Sequence, residues 1–279
     1  MSTARVGDIE LYYEEHGSGE PLLCIMGLAA DSMAWVLQTP DFSKRYRTII
    51  YDNRGVGRSS KPKGPYSIAQ MADDAAGLLD ALDIPRAHVL GVSMGGMIAQ
   101  ELALRHPARV RGLVLACTYA EPDADVQAQR ETGLASFGGS IGADGTAQLD
   151  ASGIDPFAFF QLLLPKVFNV SFIETELPRL MELFGGALQY GFDMDAVLAQ
   201  VEATMAHRTT DRLHGVKSPT LVITGDNDQL IACSNSDVLA KHIPGARLLK
   251  VPGGSHGFNF ETPDLFNREV LGFLDGVRA

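Results

Sequence analysis

Three side chains in this sequence of 279 residues could together perform nucleophilic catalysis. Ser93 lies in the motif Gly91-Val92-Ser93-Met94-Gly95, Asp228 follows an apolar run, and His256 lies in a glycine-rich loop. A serine hydroxyl is a poor nucleophile unless a neighbouring base removes its proton, and an imidazole becomes an effective base when a carboxylate orients it. The residue types and their order along the chain therefore predict a triad that activates Ser93.

The elements that must position these side chains can also be predicted. The apolar run 88–90 predicts a buried strand and residues 98–106 predict a helix, so Ser93 lies at a sharp turn between them. Such a turn strains the serine backbone and exposes its hydroxyl, and flanking glycines avoid collisions. The runs 220–224 and Arg247–Val251 predict two further buried strands, which end shortly before Asp228 and His256.

These motifs resemble those of the α/β-hydrolase superfamily, and the resemblance extends over nearly the whole chain. Besides the serine motif, the run Asp52-Asn53-Arg54-Gly55-Val56-Gly57-Arg58-Ser59 resembles the turn after the family's fourth strand. The resemblance implies an α/β fold with a mostly parallel central sheet, flanked by helices and carrying an inserted helical cap. Gly-x-Ser-Met-Gly-Gly recurs in this superfamily among small esterases, enol-lactonases and cofactor-free haloperoxidase-like enzymes.

The resemblance also implies a role for each member of the triad. Ser93 would be the nucleophile, His256 the general base and then the general acid, and Asp228 the group that orients the imidazole. Asp226 is a competing candidate for the acid, because it lies in the same Gly-Asp-x-Asp motif. We favour Asp228 because the family's acid usually occupies the later position.

A second implication concerns the donors that stabilise the oxyanion. The backbone N–H of Met94, directly after the nucleophile, would be one donor. The other would be the N–H of Leu28, in the loop after the predicted strand 22–25. Many relatives carry His-Gly where this sequence has Met26-Gly27, so a hydrogen bond that braces this loop would be lost. Met26 would instead place a flexible apolar thioether near the substrate.

The regular alternation of strands and helices is interrupted between residues 119 and 213. We expect this segment to be a helical cap inserted between core segments 1–118 and 214–279, with breaks at its glycine pairs and prolines. Those breaks are expected at Gly138-Gly139, Pro156, Pro165, Pro178 and Gly185-Gly186.

The predicted cap is rich in aromatic residues. Seven of the 13 phenylalanines lie between Phe157 and Phe192. Each could form the cap's own core or line an apolar pocket above Ser93, and the sequence does not choose between these alternatives. The candidates for pocket lining are Phe157, Phe160, Phe168, Phe184 and Tyr190.

Composition excludes several classes of partner and cofactor. A net charge of −11 argues against nucleic acid or an anionic membrane surface as a partner. No apolar run is long enough to cross a bilayer and no signal region is evident, so we expect a cytoplasmic location. The three cysteines and the remaining six histidines lack metal-ligand spacing, and no nucleotide-binding glycine motif is present. We therefore expect no metal and no cofactor, and capping or surface roles for those histidines.

The sequence thus predicts a serine hydrolase that cleaves carboxylic esters through an acyl-enzyme, a carboxylesterase acting on a small-molecule ester or lactone. Alternatives on the same triad are a lactonase of the enol-lactone or acyl-homoserine-lactone type, a carbon-carbon bond hydrolase and a perhydrolase. A non-enzymatic small-molecule sensor is a further alternative, which slow turnover combined with tight binding would reveal. The sequence does not predict the oligomeric state.

Overall fold

An eight-stranded, mostly parallel sheet forms the centre of the computed structural model. The structure describes residues 2–277, apart from the side chains of Ser152, Phe184 and Ala187. The strands of the chain are β1 (Ser2–Val6), β2 (Ile9–His16), β3 (Glu20–Ile25), β4 (Tyr46–Tyr51), β5 (Ala87–Val92), β6 (Val110–Ala116), β7 (Ser140–Ile141), β8 (Ala147–Gln148), β9 (Thr220–Gly225) and β10 (Arg247–Val251).

The helices connect these strands in chain order. They are α1 (Thr39–Phe42), α2 (Ile68–Ala81), α3 (Met94–Arg105), α4 (Ala124–Ser136), α5 (Pro156–Val167), α6 (Val170–Leu188), α7 (Met194–Met205), α8 (Ser234–His242), α9 (Phe258–Glu261) and α10 (Pro263–Asp275). Short 3-10 helices lie at Ser32–Trp35, Pro107–Arg109, Ala151–Gly153 and Thr210–Gly215.

The order of strands across the main sheet is β1-β2-β4-β3-β5-β6-β9-β10. β2 pairs antiparallel with β1 and β4, and every other pair in this sheet is parallel. Parallel strands need crossover connections, and most of these connections are helices. The carboxyl ends of β3, β5, β6, β9 and β10 consequently meet at one edge, where an open α/β sheet places its ligand site.

Both faces of the sheet are covered, which explains the continuous apolar runs in its strands. Alternate side chains of β3 enter different cores: Leu23 and Ile25 pack with α2 and α3, whereas Leu22 and Cys24 pack with α1 and α10. The predicted strands before Ser93, Asp228 and His256 are confirmed as β5, β9 and β10. The helix predicted at 98–106 begins four residues earlier, directly after Ser93.

Residues 119–213, here called the insertion, connect β6 to β9 and contain α4 to α7 and the β7–β8 hairpin. Expected breaks are confirmed at Gly138-Gly139, which follows α4, and at Pro156, which begins α5. Those expected at Pro165, Pro178 and Gly185-Gly186 are wrong, because α5 and α6 continue through them. An internal proline costs a helix about 3 kcal/mol. Packing of neighbouring apolar side chains such as Leu164 and Leu180 offsets that cost.

Candidate active site

Ser93 occupies the turn between β5 and α3 in a strained conformation. Its φ is 56° and its ψ is −122°, and residues other than glycine rarely adopt a positive φ. The Ser93 N–H donates to the carbonyl of Ala116 over 2.9 Å, which ties the turn to β6. A Cβ at Gly91 would collide with the carbonyl of Gly95, and one at Gly95 with the carbonyl of Ile25. Only glycine fits at either position.

His256 and Asp228 form a buried pair, and His256 lines the same cavity as Ser93. His256 Nδ1 lies 2.8 Å from Asp228 Oδ2, and the two side chains are 7% and 0% exposed. The other oxygen of Asp228 accepts hydrogen bonds from the backbone N–H groups of Leu230 and Ile231, both over 2.8 Å. These contacts fix the carboxylate, so that it can hold the Nδ1–H of the imidazole and leave Nε2 free as a base.

Asp226, the competing acid, has a different hydrogen-bond partner. It is exposed, and its Oδ1 accepts the N–H of Gly253 over 2.6 Å. This bond supports the loop that carries His256. The described geometry therefore gives the two aspartates different tasks: Asp228 contacts the imidazole, whereas Asp226 shapes the neighbouring turn.

The loop after β3 lies directly against Ser93. A Cβ at Gly27 would be 3.1 Å from Ser93 Cβ and 3.6 Å from its Oγ. Within residues 2–277, the N–H groups of Leu28 and Met94 donate to no protein acceptor. An oxyanion hole requires two such unused N–H groups near a serine hydroxyl, and in enzymes that have one, removing a single donor costs about 3–4 kcal/mol of transition-state stabilisation.

Hydrogen bonds from two other segments brace this loop, which has Met26 where the resemblance led us to expect a histidine. Asn53 donates from Nδ2 to the carbonyl of Met26 over 3.0 Å. Gln200, fully buried on α7, accepts the N–H of Ala29 and donates to the carbonyl of Arg54, both over 2.9 Å. The sequence analysis did not identify Gln200, because its partners are 146 and 171 residues away along the chain.

Cys117 is a second residue that the sequence analysis did not place in the site. It follows β6 with a positive φ of 48°, and its Sγ, a donor atom of Asp228 and one of His256 lie within 4.8 Å of one another. Burial, followed by the charge of Asp228, raises the pKa of the Cys117 thiol well above its ordinary value. Cys117 therefore lies among the same buried groups as the His256–Asp228 pair. The signal in the sequence was its position at the end of a strand adjacent to β9.

The turn at residues 52–59 is held by its own polar groups. Asp52 accepts the N–H of Ser32 and that of Arg58, each over 2.8 Å. Arg54 forms a buried bidentate ion pair with Asp74 on α2. These side chains satisfy one another and the backbone, which is the pattern of a structural turn.

Two cavities meet at Ser93. The first has a volume of about 200 Å³ and lies between α3, α4 and α7; the second, of about 300 Å³, lies beneath α5 and α6. Both are lined mainly by apolar side chains. The lining residues that the two cavities share are Leu28, Ser93, Phe159, Leu163 and Leu230. His256 lines the second cavity and, among the described lining residues, is absent from the first.

The aromatic candidates of the insertion separate into different environments. Met26, Phe160 and Phe168 line the second cavity. Phe157 and Tyr190 are 38% and 37% exposed and lie outside the described lining of both cavities. The expectation for these two is therefore revised: Phe157 lies in the exposed first turn of α5, and the Tyr190 ring packs over the guanidinium of Arg58. The side chain of Phe184 lies outside the described residues.

The expectation of surface roles for the other histidines is wrong at two positions. His88 is fully buried and contacts Glu20 over 3.2 Å, and His207 is only 4% exposed. Burial lowers the pKa of His88, and burial followed by the charges of Arg212 and Arg208 lowers the pKa of His207 to about 3. Both imidazoles are therefore neutral parts of the interior at neutral pH.

Among the described residues, no helix has the length and apolar character required to cross a bilayer.

Comparison with known proteins places this geometry in a family. Residues 20–263 match the model of the alpha/beta hydrolase fold. The chain is 34% identical to "Putative carbamate hydrolase RutD" of Azorhizobium caulinodans, with 99% of each chain covered. It is 31% identical to 3-oxoadipate enol-lactonase 2 of Acinetobacter baylyi, over 96% of this chain and 94% of that protein.

A solved structure agrees with these relatives. The enol-lactonase from Burkholderia xenovorans LB400 is 30% identical and superimposes with a TM-score of 0.84, over 98% of this chain and 100% of that one. The sheet order, the serine turn and the match of a family model to most of the sequence lead to one conclusion: this chain belongs to the α/β-hydrolase family and is a hydrolase.

Proposed function

We propose that the protein is a serine hydrolase that cleaves carboxylic esters, with Ser93 as nucleophile and His256 and Asp228 completing the triad. The observation that carries this proposal is the buried His256–Asp228 pair, whose imidazole lines the same cavity as a serine held at a φ of 56°. Residues 119–213 act as a cap, since α5 and α6 lie over the second cavity and α4 and α7 border the first.

The first half of the reaction forms an acyl-enzyme. Ser93 Oγ attacks the ester carbonyl while Nε2 of His256 takes its proton, and Asp228 stabilises the resulting imidazolium. Negative charge develops on the carbonyl oxygen, which the N–H groups of Leu28 and Met94 receive. Collapse of this intermediate breaks the bond to the alcohol oxygen, and His256 donates its proton to the leaving alcohol.

The second half releases the acid. His256 now takes a proton from water, the resulting hydroxide attacks the acyl carbon, and the same two N–H groups stabilise the second oxyanion. Breaking the bond to Ser93 Oγ then returns the proton to the serine. The carboxylic acid leaves, and every group of the site is restored.

The cavities favour an apolar ester over a small polar substrate. Charged Lys, Arg or Asp side chains are few in the described lining: in the first cavity Arg130 pairs with Glu202, and Lys166 lies 3.4 Å from the side-chain oxygen of Gln129. In the second, Oδ1 of Asp31 accepts the N–H of Met33, whereas the buried Oδ2 of Asp31 has no hydrogen-bond partner among the described residues. A small, unsubstituted carbamate, a substrate suggested by the names of several relatives, would offer little surface to such walls. Lactones are the second candidate function, because two relatives are named as enol-lactonases. A lactone is an internal ester and needs the same triad.

Hydrolysis of p-nitrophenyl esters and a lactone panel by wild type and Ser93→Ala tests the proposal. We expect Ser93→Ala to lose about four to six powers of ten in turnover, as triads do when their nucleophile is removed. Ser171→Ala is the matched control, because it removes the same hydroxyl from an exposed position on α6. Comparable activity in Ser93→Ala and wild type would refute the assignment of the nucleophile.

A further inference from the structure

The two cavities at Ser93 differ in a way that bears on substrate orientation. Ser93 lines both, but His256 lines only the second among the described residues, and Met94 lines only the first. The Ser93 hydroxyl is therefore accessible from both cavities, whereas the His256 imidazole borders only the second. A substrate whose carbonyl lies at Ser93 extends in two directions, one toward the imidazole and one away from it.

The chemistry of acyl transfer assigns a part of the substrate to each direction. The leaving alcohol must receive its proton from His256, so its oxygen lies on the imidazole side. The acyl group stays bonded to Ser93 while water enters from that same side. From these requirements we propose, building on the proposed esterase function, that the first cavity is the acyl chamber and the second the alcohol chamber for esters with an apolar group on both sides of the scissile bond.

The walls and volumes of the chambers support this substrate class. The acyl chamber includes Met97, Leu134 and Val201, and the alcohol chamber includes Phe160, Phe168 and Leu180. A cavity of roughly 150 Å³ with such walls holds benzene. Cavities of about 200 and 300 Å³ therefore accommodate at least a ring-sized apolar group on each side. A small lactone cannot fill both chambers, since its acyl and alcohol parts are joined.

Gly133 provides a direct way to block the acyl chamber. It lies within α4, lines the first cavity, and a Cβ built there meets no atom within 4 Å. Gly133→Phe therefore places a ring in open space, and helix propensity favours replacing a helical glycine. Gly133→Leu provides a smaller version of the same change. Leu183 on α6 lines only the alcohol chamber among the described residues, and Leu183→Trp fills that side.

The experiment uses two ester series that differ in only one part. p-Nitrophenyl acetate, butyrate, hexanoate and octanoate vary the acyl group, whereas methyl, butyl, hexyl and octyl acetate vary the alcohol. Gly133→Phe should lower kcat/KM for octanoate relative to acetate by about tenfold or more, without affecting the alcohol series. Leu183→Trp should lower kcat/KM for octyl acetate relative to methyl acetate, without affecting the acyl series. Gly185→Phe is the control, because Gly185 is exposed on α6 and lies outside the described lining of both cavities.

The outcomes separate this inference from the function on which it rests. The chamber assignment is wrong if Gly133→Phe affects the alcohol series and Leu183→Trp the acyl series, or if both variants affect one series equally. In either case, Ser93-dependent hydrolysis of the esters would still support the esterase function. Absence of Ser93-dependent hydrolysis by the wild type overturns both. Thermal melting of each variant identifies any loss of fold, and Gly133→Leu, which should show a smaller shift in the same direction, takes the place of a Gly133→Phe that fails to fold.

Discussion

Replacing Asp228 by asparagine tests the site through a single atom. The side chain keeps its shape. In the wild type, Oδ1 of Asp228 accepts the N–H groups of Leu230 and Ile231 over 2.8 Å, and the amide oxygen of asparagine can accept the same two bonds. The group facing His256 Nδ1 changes from an acceptor to an amide that donates. Nδ1 must then lose its proton to accept, and the proton moves to Nε2, where it prevents the imidazole from acting as a base.

The size of the effect follows from this change of tautomer. The same substitution in a well-studied serine protease lowers kcat by about 10⁴, which corresponds to about 5.5 kcal/mol. We expect a similar loss for Asp228→Asn with little change in KM. The fold should survive, since a hydrogen bond to a charged group is worth only about 1–2 kcal/mol more than a neutral one.

Asp226→Asn is the matched control for this experiment. Asp226 is exposed, and its bond to the N–H of Gly253 needs only an oxygen, which asparagine retains. Stability should therefore change by less than about 0.5 kcal/mol, with activity close to that of the wild type. The assay is steady-state hydrolysis of p-nitrophenyl butyrate, with thermal melting of each variant. A large loss in Asp226→Asn, or less than a tenfold loss in Asp228→Asn, would refute the assignment of the acid.

Two further predictions concern buried groups outside the proposed triad. Gln200→Leu leaves the Ala29 N–H and the Arg54 carbonyl without their hydrogen-bond partner, which lowers the free energy of unfolding by about 1–3 kcal/mol for each group. We expect kcat to fall by a larger factor than KM changes. Gln200→Glu keeps an acceptor for the Ala29 N–H, so it should recover part of the lost kcat. A kcat unaffected by Gln200→Leu would contradict the link between α7 and the loop that carries Leu28, the proposed oxyanion donor. The folded-state pKa of His207 is lowered to about 3, so below pH 6.5 the unfolded chain binds the proton more readily and stability falls as the pH falls. At about pH 5 the free energy of unfolding should be about 2 kcal/mol lower than at neutral pH because of His207. Urea unfolding of His207→Gln should not show this decrease. An equal pH dependence of stability in wild type and His207→Gln would refute the prediction. The opposite contribution of Asp31, whose pKa burial raises to about 6, is common to both chains and cancels in the difference.

Most of the core could be predicted from the sequence because its signals are local. The strands before Ser93, Asp228 and His256 were recognised by their apolar runs, since both sides of a buried parallel strand face other side chains. The early start of α3 was missed because Gly95 and Gly96 are poor helix formers. Their small size is required by close contacts: a Cβ at Gly96 would lie 2.6 Å from Thr118 Cγ2.

The insertion was harder to predict, for a physical reason. In α5, apolar residues occupy more than one face of the helix, so periodicity does not say which face meets the core. Tertiary packing placed Phe168 in the second cavity and left Phe157 near solvent. It also allowed α5 to continue through Pro165.

The sequence by itself determined the serine turn, because the strain at Ser93 and the glycines that permit it lie within five residues of one another. It also provided the order of the three candidate catalytic residues. Only the tertiary structure decided that Asp228 contacts His256, that Gln200 braces the loop of Leu28, and that two cavities meet at Ser93. These features join segments far apart in the chain, and their contacts depend on how whole helices pack on the sheet.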